Sequence, residues 1–196
     1  MKKFISALAL VVALSGTAHA QDFQKGYDAY QAGDYATALQ EWRPLADQGD
    51  ADAKHNLGLM YENGQGVPQD YAEAVSWYRK AAEQGHAYAQ SNIGLMYVSG
   101  QGVPQDYAEA VRWYRKAAEQ GTVQAQYSLA LGYKYGVGVL QDNILAHMWF
   151  NIGGANGSEL GSENRDLIAK EMTPQDISTA QAMARTCMSS NYQKCG

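Results

Sequence analysis

Cysteine is nearly absent from this chain, basic charge is short, and apart from one early stretch there is no long hydrophobic run; each shortage removes a class of function. Of 196 residues only two are cysteine. These are Cys187 and Cys195, which have neither CxxC spacing nor a histidine nearby, so a structural pair is expected over a zinc site or redox pair. Beyond Phe4–Leu14 no segment is apolar enough for a membrane helix, and that run is too short to span a bilayer. Gly-x-Ser-x-Gly, His-Glu-x-x-His and Ser-x-x-Lys do not occur, so the signatures of serine hydrolases, zincins and penicillin-recognising enzymes are missing.

Lys2 and Lys3, the run Phe4–Leu14 and Ala18-His19-Ala20 read as a signal peptide over residues 1–20, cut after Ala20, so that the working chain begins at Gln21. This predicts an exported protein, periplasmic or secreted, with no integral membrane segment in its mature form. No cysteine sits at the cleavage point, which argues against a lipid anchor. The leader takes with it two of the 15 basic residues and none of the 20 acidic ones, moving the net charge from −5 to −7, which argues against nucleic acid as a partner.

In an oxidising compartment Cys187 and Cys195 have only each other to pair with. Were the whole segment helical, their Cα atoms would lie about 12 Å apart, beyond the reach of a disulfide, so the chain is expected to turn back near Ser189-Ser190-Asn191. The closed loop is expected to contribute about 2–3 kcal/mol and to pin the last helix.

Against these shortages stands a repetition. Residues 51–86 (ADAKHNLGLMYENGQGVPQDYAEAVSWYRKAAEQGH) and 87–122 (AYAQSNIGLMYVSGQGVPQDYAEAVRWYRKAAEQGT) align without a gap at a period of 36. A fixed period of this size marks a solenoid, whose function resides on its surface. Within a repeat, Ala53, Leu57, Met60 and Tyr61 form one helical stripe and Tyr71, Ala74, Val75, Tyr78 and Ala82 a second, so each repeat is a helical hairpin. Gly64 ends the first helix and Pro68 precedes the second. Asp70 with Glu73, and Asp106 with Glu109, read as N-caps with an acid three residues on. Gly85 and Gly121 stop the second helices and leave almost no linker, so neighbouring hairpins must pack side by side. On that argument Trp77 and Trp113, at one repeat position, are expected to be buried at the seam between repeats.

A third, degraded copy covers 123–158. It keeps Leu129, Tyr133, Gly136, Gly138, Asp142, Ala146, Trp149 and Gly157, while Ala130 stands where Gly58 and Gly94 do, Leu145 replaces the capping glutamate, and the second helix ends Gly153-Gly154 in place of Ala-Ala. Residues 22–49 read as an N-terminal hairpin with a loop five residues shorter. Residues 159–196 read as a helical cap on the open end. Ser162 is expected to cap a helix to about Met172, and Thr173-Pro174-Gln175-Asp176 to start another through Met188, with Leu167, Ile168, Met172, Ile177, Ala180, Ala184 and Met188 facing the core.

These residues, LGLMYENGQGVPQDYAEAVSWYRKAAEQG above all, resemble the Sel-one-like repeat family, a relative of the tetratricopeptide repeats, from 51 to about 158; residues 22–49 look like a plain tetratricopeptide hairpin. The resemblance implies an all-α, right-handed α/α superhelical solenoid whose first helices line the concave side. It also implies an adaptor for protein complexes, since exported bacterial members are associated with envelope assembly, signalling and host contact. Some cysteine-rich relatives are described as penicillin-binding or β-lactamase-like. They carry a cysteine pair in every repeat, whereas this chain has one pair at its end, so that activity is not carried over.

Other motifs read as structure. Gly64-x-Gly66, Gly100-x-Gly102 and Gly136-x-Gly138 follow helices, lack the third glycine of a nucleotide loop and recur at the repeat period, so they are turn glycines. Arg79-Lys80 and Arg115-Lys116 are either a basic ladder or cations answering the helix dipole. His55 and His86 have no ligand partner at metal spacing, and His147, at the position of Val75 and Val111, is expected to be a satisfied core histidine. No cofactor, metal or catalytic residue is expected.

On a helical wheel Leu59 lies opposite the buried stripe of its helix, and its equivalents are Leu95 and Leu131. The leucine stays while its flanks diverge, with Tyr88 and Val98 in the second copy and Tyr127, Lys134 and Tyr135 in the third. That pattern fits a groove with an apolar floor and partner-specific walls. Packing of these leucines against adjacent first helices remains the alternative. The functional expectation is a non-enzymatic scaffold binding a protein or peptide; an envelope-directed hydrolase is the alternative, and it requires convergent titratable groups in one pocket.

Overall fold

Aspartates at the 36-residue period start the second helix of every hairpin. The carboxylates of Asp34, Asp70, Asp106 and Asp142 accept hydrogen bonds from the backbone amides of Thr37, Glu73, Glu109 and Leu145. Each satisfies an amide that the first turn leaves open. Leu145 in the third copy shows that the aspartate suffices without a glutamate in return. The first helices have their own series, Asp50, His86, Thr122 and Ser158. Three of these accept from the amides of Ala53, Ala89 and Gly161, the acceptor on His86 being Nδ1, while Thr122 makes no such side-chain bond.

The computed structural model describes residues 22–195, all of whose regular elements are helices; the expected leader lies outside the described residues. The chain divides into two compact units at Gln84/Gly85. In the first, the described part of α1 covers 22–31, followed by α2 (Tyr35–Asp47), α3 (Ala51–Asn63) and α4 (Tyr71–Glu83). The α1–α2 turn takes residues 32–34 against 64–70 between α3 and α4, so it is four residues shorter, not five. Gly26 and Gly58 let an aromatic ring lie on the facing helix: a Cβ on Gly26 would sit 2.6 Å from Trp42 Nε1, and one on Gly58 2.5 Å from Tyr78 Cδ1. Trp42, Leu45, Leu57, Met60 and Trp77 fill this unit's core.

The second unit contains α5 (Ala87–Ser99), α6 (Tyr107–Ala118), α7 (Val123–Tyr135), α8 (Asn143–Ala155), α9 (Glu159–Ile168), a 3-10 turn (Ala169–Glu171) and α10 (Pro174–Ser189). Leu129, Met148, Trp149, Phe150, Ile152 and Ile168 anchor its core. Both α9 and α10 pack on α8, as a cap should.

Three details of that cap differ from expectation. Ser158, not Ser162, caps α9. The repeat period therefore persists one helix further, and Gly161 falls where Ala53, Ala89 and Ala125 stand. α8 runs through Gly153-Gly154 to Ala155, and Gly154 and Gly161 serve a close crossing: a Cβ on Gly161 would lie 2.9 Å from the Gly154 amide nitrogen, and one on Gly154 2.5 Å from Ser162 Oγ. Leu167 and Met188 are exposed, at 51% and 37%, instead of facing the core. Leu167 is the fourth member of the series Leu59, Leu95, Leu131, and so takes their side of its helix.

Beyond α10 the chain turns back through Asn191 and Tyr192, both at positive φ, and a disulfide joins Cys187 to Cys195 across a Cα separation of 4.4 Å. The Tyr192 hydroxyl accepts from the Asn156 amide, which also donates to the fully buried Gln126.

The equivalent tryptophans differ. Trp77 is buried, between Arg43 and Lys80, whose charged groups lie 5.1 and 3.8 Å from its ring centroid. Trp113 is half-buried, outside the core, with Lys116 Nζ 4.1 Å from its ring. Burial of both was expected from the tight junctions, but repeat position does not supply the neighbours that Trp77 has in its own unit. The Arg-Lys pairs are thus committed in part to rings: Lys80 and Lys116 each cover the tryptophan three residues earlier, and Arg115 donates to the Tyr133 hydroxyl. Trp77→Ala is expected to cost about 3–5 kcal/mol and Trp113→Ala less than half as much, measured by chemical denaturation; equal losses would contradict this difference in packing.

His147 is buried on α8, 2% exposed, but it is not satisfied: Nδ1 has no hydrogen-bond partner. Burial holds its imidazole below the usual value, helped by Arg165 and opposed by Asp166. With the folded value depressed, the unfolded chain takes up the proton first, so stability present above pH of about 6.5 is lost as pH falls toward the folded value. His147→Val, which restores the residue at positions 75 and 111, is expected to flatten this part of the stability–pH curve. Parallel curves for the two proteins between about pH 7 and pH 5 would refute the assignment.

Candidate binding groove

A methionine closes the first helix of each intact repeat against its partner: Met60 and Met96 are fully buried. The third copy has Gly132 there. With no side chain to fill the space, Gly132 opens onto a cavity of about 300 Å³ bounded by α5, α6, α7 and the loop after α7. Val111 Cγ2 and the Val137 carbonyl oxygen each lie 3.3 Å from where a Cβ of Gly132 would be. Leu95 and Val98 come from α5, Tyr107, Val111 and Tyr114 from α6, Leu131 and Tyr135 from α7, and Val137 from the loop.

Helical spacing explains the convergence. Leu95 and Val98 are three apart, Tyr107, Val111 and Tyr114 follow at four and three, and Ser128, Leu131 and Tyr135 at three and four, so each helix offers one face. Tyr114 is nearly buried, and burial pushes its hydroxyl up to about 12, against a smaller opposing effect of its hydrogen bond with Ser128. It stays neutral at physiological pH. No lining residue is an acid, lysine, arginine or histidine. Several are well exposed: Leu95 at 48%, Tyr135 at 63% and Val137 at 40%. Apolar side chains gathered around a concave surface and left in water are the mark of a contact site.

Of the eight residues singled out in the sequence, four meet here: Leu95, Val98, Leu131 and Tyr135. Lys134 is not among the lining residues; its Nζ lies 5.2 Å from the ring centroid of Tyr135, which is, and 3.3 Å from the Asn164 Oδ1. Tyr127 is turned to structure, its ring 5.7 Å from Phe150 and its hydroxyl accepting from the Asn164 amide. Tyr88 is exposed, near the His86 ring, and does not line the groove. Leu59 belongs to the first unit, where it is half-buried.

The other seven lining residues were missed, although two of them, Gly132 and Val137, carried a signal. The intact copies read Leu-Met-Tyr and Gly-Gln-Gly-Val-Pro, whereas the third reads Leu-Gly-Tyr and Gly-Val-Gly-Val-Leu. Losing a core methionine while gaining a loop valine moves apolar surface from inside to outside. Among the described residues no group of three or more His, Cys, Asp or Glu is placed to hold a metal, and no helix is long and apolar enough to cross a membrane.

The Sel1 repeat matches the chain three times, over residues 51–86, 87–122 and 123–158. Among solved structures the chain is similar to a Sel1 repeat protein from Oxalobacter formigenes, at 33% identity and a TM-score of 0.71, over 74% of this chain and 58% of that one. It is also similar to a protective antigen present in uropathogenic Escherichia coli strains that displays an SLR fold, at 29% identity and a TM-score of 0.53, over 89% of this chain and 47% of that one. The chain thus spans about half the length of these two relatives. No curated protein matches it.

Proposed function

Because the chain belongs to the Sel1 repeat family, whose repeats generally mediate protein–protein interaction, we propose that it is a non-enzymatic adaptor whose second unit holds an apolar segment of a partner protein in the groove at Gly132. The observation that carries this reading is the groove itself: an uncharged concavity of about 300 Å³ with exposed leucine, valine and tyrosine around it. A space of that size takes one or two large apolar side chains, which is how a few buried anchors dominate a protein contact. Hydrolysis finds less support, since the titratable lining residues are tyrosines, one of them held neutral by burial.

Gly132→Met tests this without removing any surface residue. It restores the side chain of the intact repeats and replaces a helical glycine, a gain set against the 3.3 Å contacts its Cβ would make with Val111 Cγ2 and the Val137 carbonyl oxygen, so stability is expected to stay within about 1 kcal/mol of the parent. Partner capture, followed through a photo-crosslinking residue at position 135, is expected to vanish. Undiminished crosslinking to the same partner in a folded Gly132→Met protein would overturn the reading.

We further propose that the adaptor works outside the cytoplasm after loss of residues 1–20, on the strength of Lys2, Lys3, the apolar run Phe4–Leu14 and Ala18-His19-Ala20. N-terminal sequencing of protein recovered from the periplasm or medium is expected to begin at Gln21. Recovery solely from the cytoplasm with Met1 in place would exclude export.

A further inference from the structure

We infer that the groove selects a segment in which the large apolar anchor is followed by a carboxylate, and that Lys134 receives that carboxylate. This rests on the reading of the groove as a contact site. Four observations support the charge preference. The lining carries no charged side chain, so an ionised anchor would be left without a partner inside it, whereas an apolar one loses nothing. Lys134 is not itself a lining residue but adjoins one: Tyr135 lines the groove, and its ring centroid sits 5.2 Å from the ammonium. Among the described residues Lys134 makes no ion pair; its one hydrogen bond goes to Asn164 Oδ1, leaving two of the three ammonium donors for an incoming acceptor. Finally, α5 and α7 contain no aspartate or glutamate; on α9, which supplies Asn164, the acids are Glu159, Glu163 and Asp166.

The repeat comparison sharpens the point. The positions equivalent to Lys134 are Glu62, which accepts from the Tyr78 hydroxyl within its own hairpin, and Val98, which lines the groove. The cation therefore occurs in the copy that has also lost its methionine, in a chain whose net charge is −5. Since Tyr135 adjoins both the cavity and the ammonium, the carboxylate falls within a residue or two of the anchor. The carboxylate proposed is that of an acidic side chain; a chain-terminal carboxylate, the same chemistry from another source, is tested against it.

The experiment uses fluorescein-labelled peptide pools with small uncharged flanks around a fixed centre: Leu-Asp, Leu-Asn, Leu-Lys, Ser-Asp, or a terminal Leu with a free or amidated carboxylate. Binding to the full mature protein is read by fluorescence anisotropy at about 50 mM and about 300 mM salt. Leu-Asp is expected to bind about 5–10-fold more tightly than Leu-Asn and more than that over Leu-Lys, with the advantage shrinking at high salt. Lys134→Met is expected to abolish the preference and Lys134→Glu to reverse it, while Gly132→Met weakens every leucine pool alike. If the leucine pools bind with equal affinity, or the preference survives Lys134→Met, the inference is overturned and the groove reading stands. If no leucine pool exceeds Ser-Asp, or Gly132→Met changes nothing, the groove reading fails and takes the inference with it. Preference for the free-terminus pool over both Leu-Asp and the amide overturns the internal acidic residue and makes the chain end the source of the carboxylate.

Discussion

The contact on which each hairpin depends is a glycine on the first helix facing an aromatic ring on the second. Gly26 meets Trp42, Gly58 meets Tyr78 and Gly94 meets Tyr114, and at all three an added Cβ would lie within 2.9 Å of the ring. The helices can approach so far because one of them lacks a side chain at the crossing. Everything else follows from that separation: the alanines at 53, 74, 81, 89, 110 and 117, all essentially buried, fit a space too narrow for larger groups. In the third hairpin the equivalent positions hold Ala130 and Phe150, both fully buried.

The third copy's departures form a set with one physical theme. Intact repeats spend their apolar side chains on their neighbours; this copy has no complete repeat beyond it. Gly154 and Gly161 let the shortened α9 cross α8 closely. Gly132 withdraws a methionine from the core, and Val137 and Leu140, the latter 91% exposed, put apolar surface on the loop where the other copies have glutamine and proline. His147 places a titratable ring in the middle of the helix against which α7, α9 and α10 all pack. The position left without a side chain at Gly132 and the unpaired ring nitrogen of His147 thus fall in the same copy that exposes the groove.

The local grammar of the chain was legible from its residues. Helix starts at Asp70, Asp106 and Thr173, stops at Gly64 and Gly85, the turn after Met188 and the closure of Cys187 on Cys195 follow from capping, φ preference and chain reach, which involve residues a few positions apart. The family was legible for the same reason, because three copies of one local pattern leave little else for residues 51–158 to be. Half of the groove was visible as well, through the leucine that stays while its flanks change.

Tertiary structure decided what the period cannot express. Trp77 and Trp113 share a repeat position, but one is enclosed by its unit's core and the other is not. Leu167 looked like a core residue of a separate cap until α9 proved to continue the period and turned it outward. Tyr127 and Tyr135, eight residues apart on one helix, divide between holding α9 and lining the groove. A helical pattern specifies which side chains share a face, since that depends on the rise and twist of one segment. Whether the face is buried depends on what lies across from it, and that is settled by side chains distant in the chain, of which Gly132 matters most here because it contributes none.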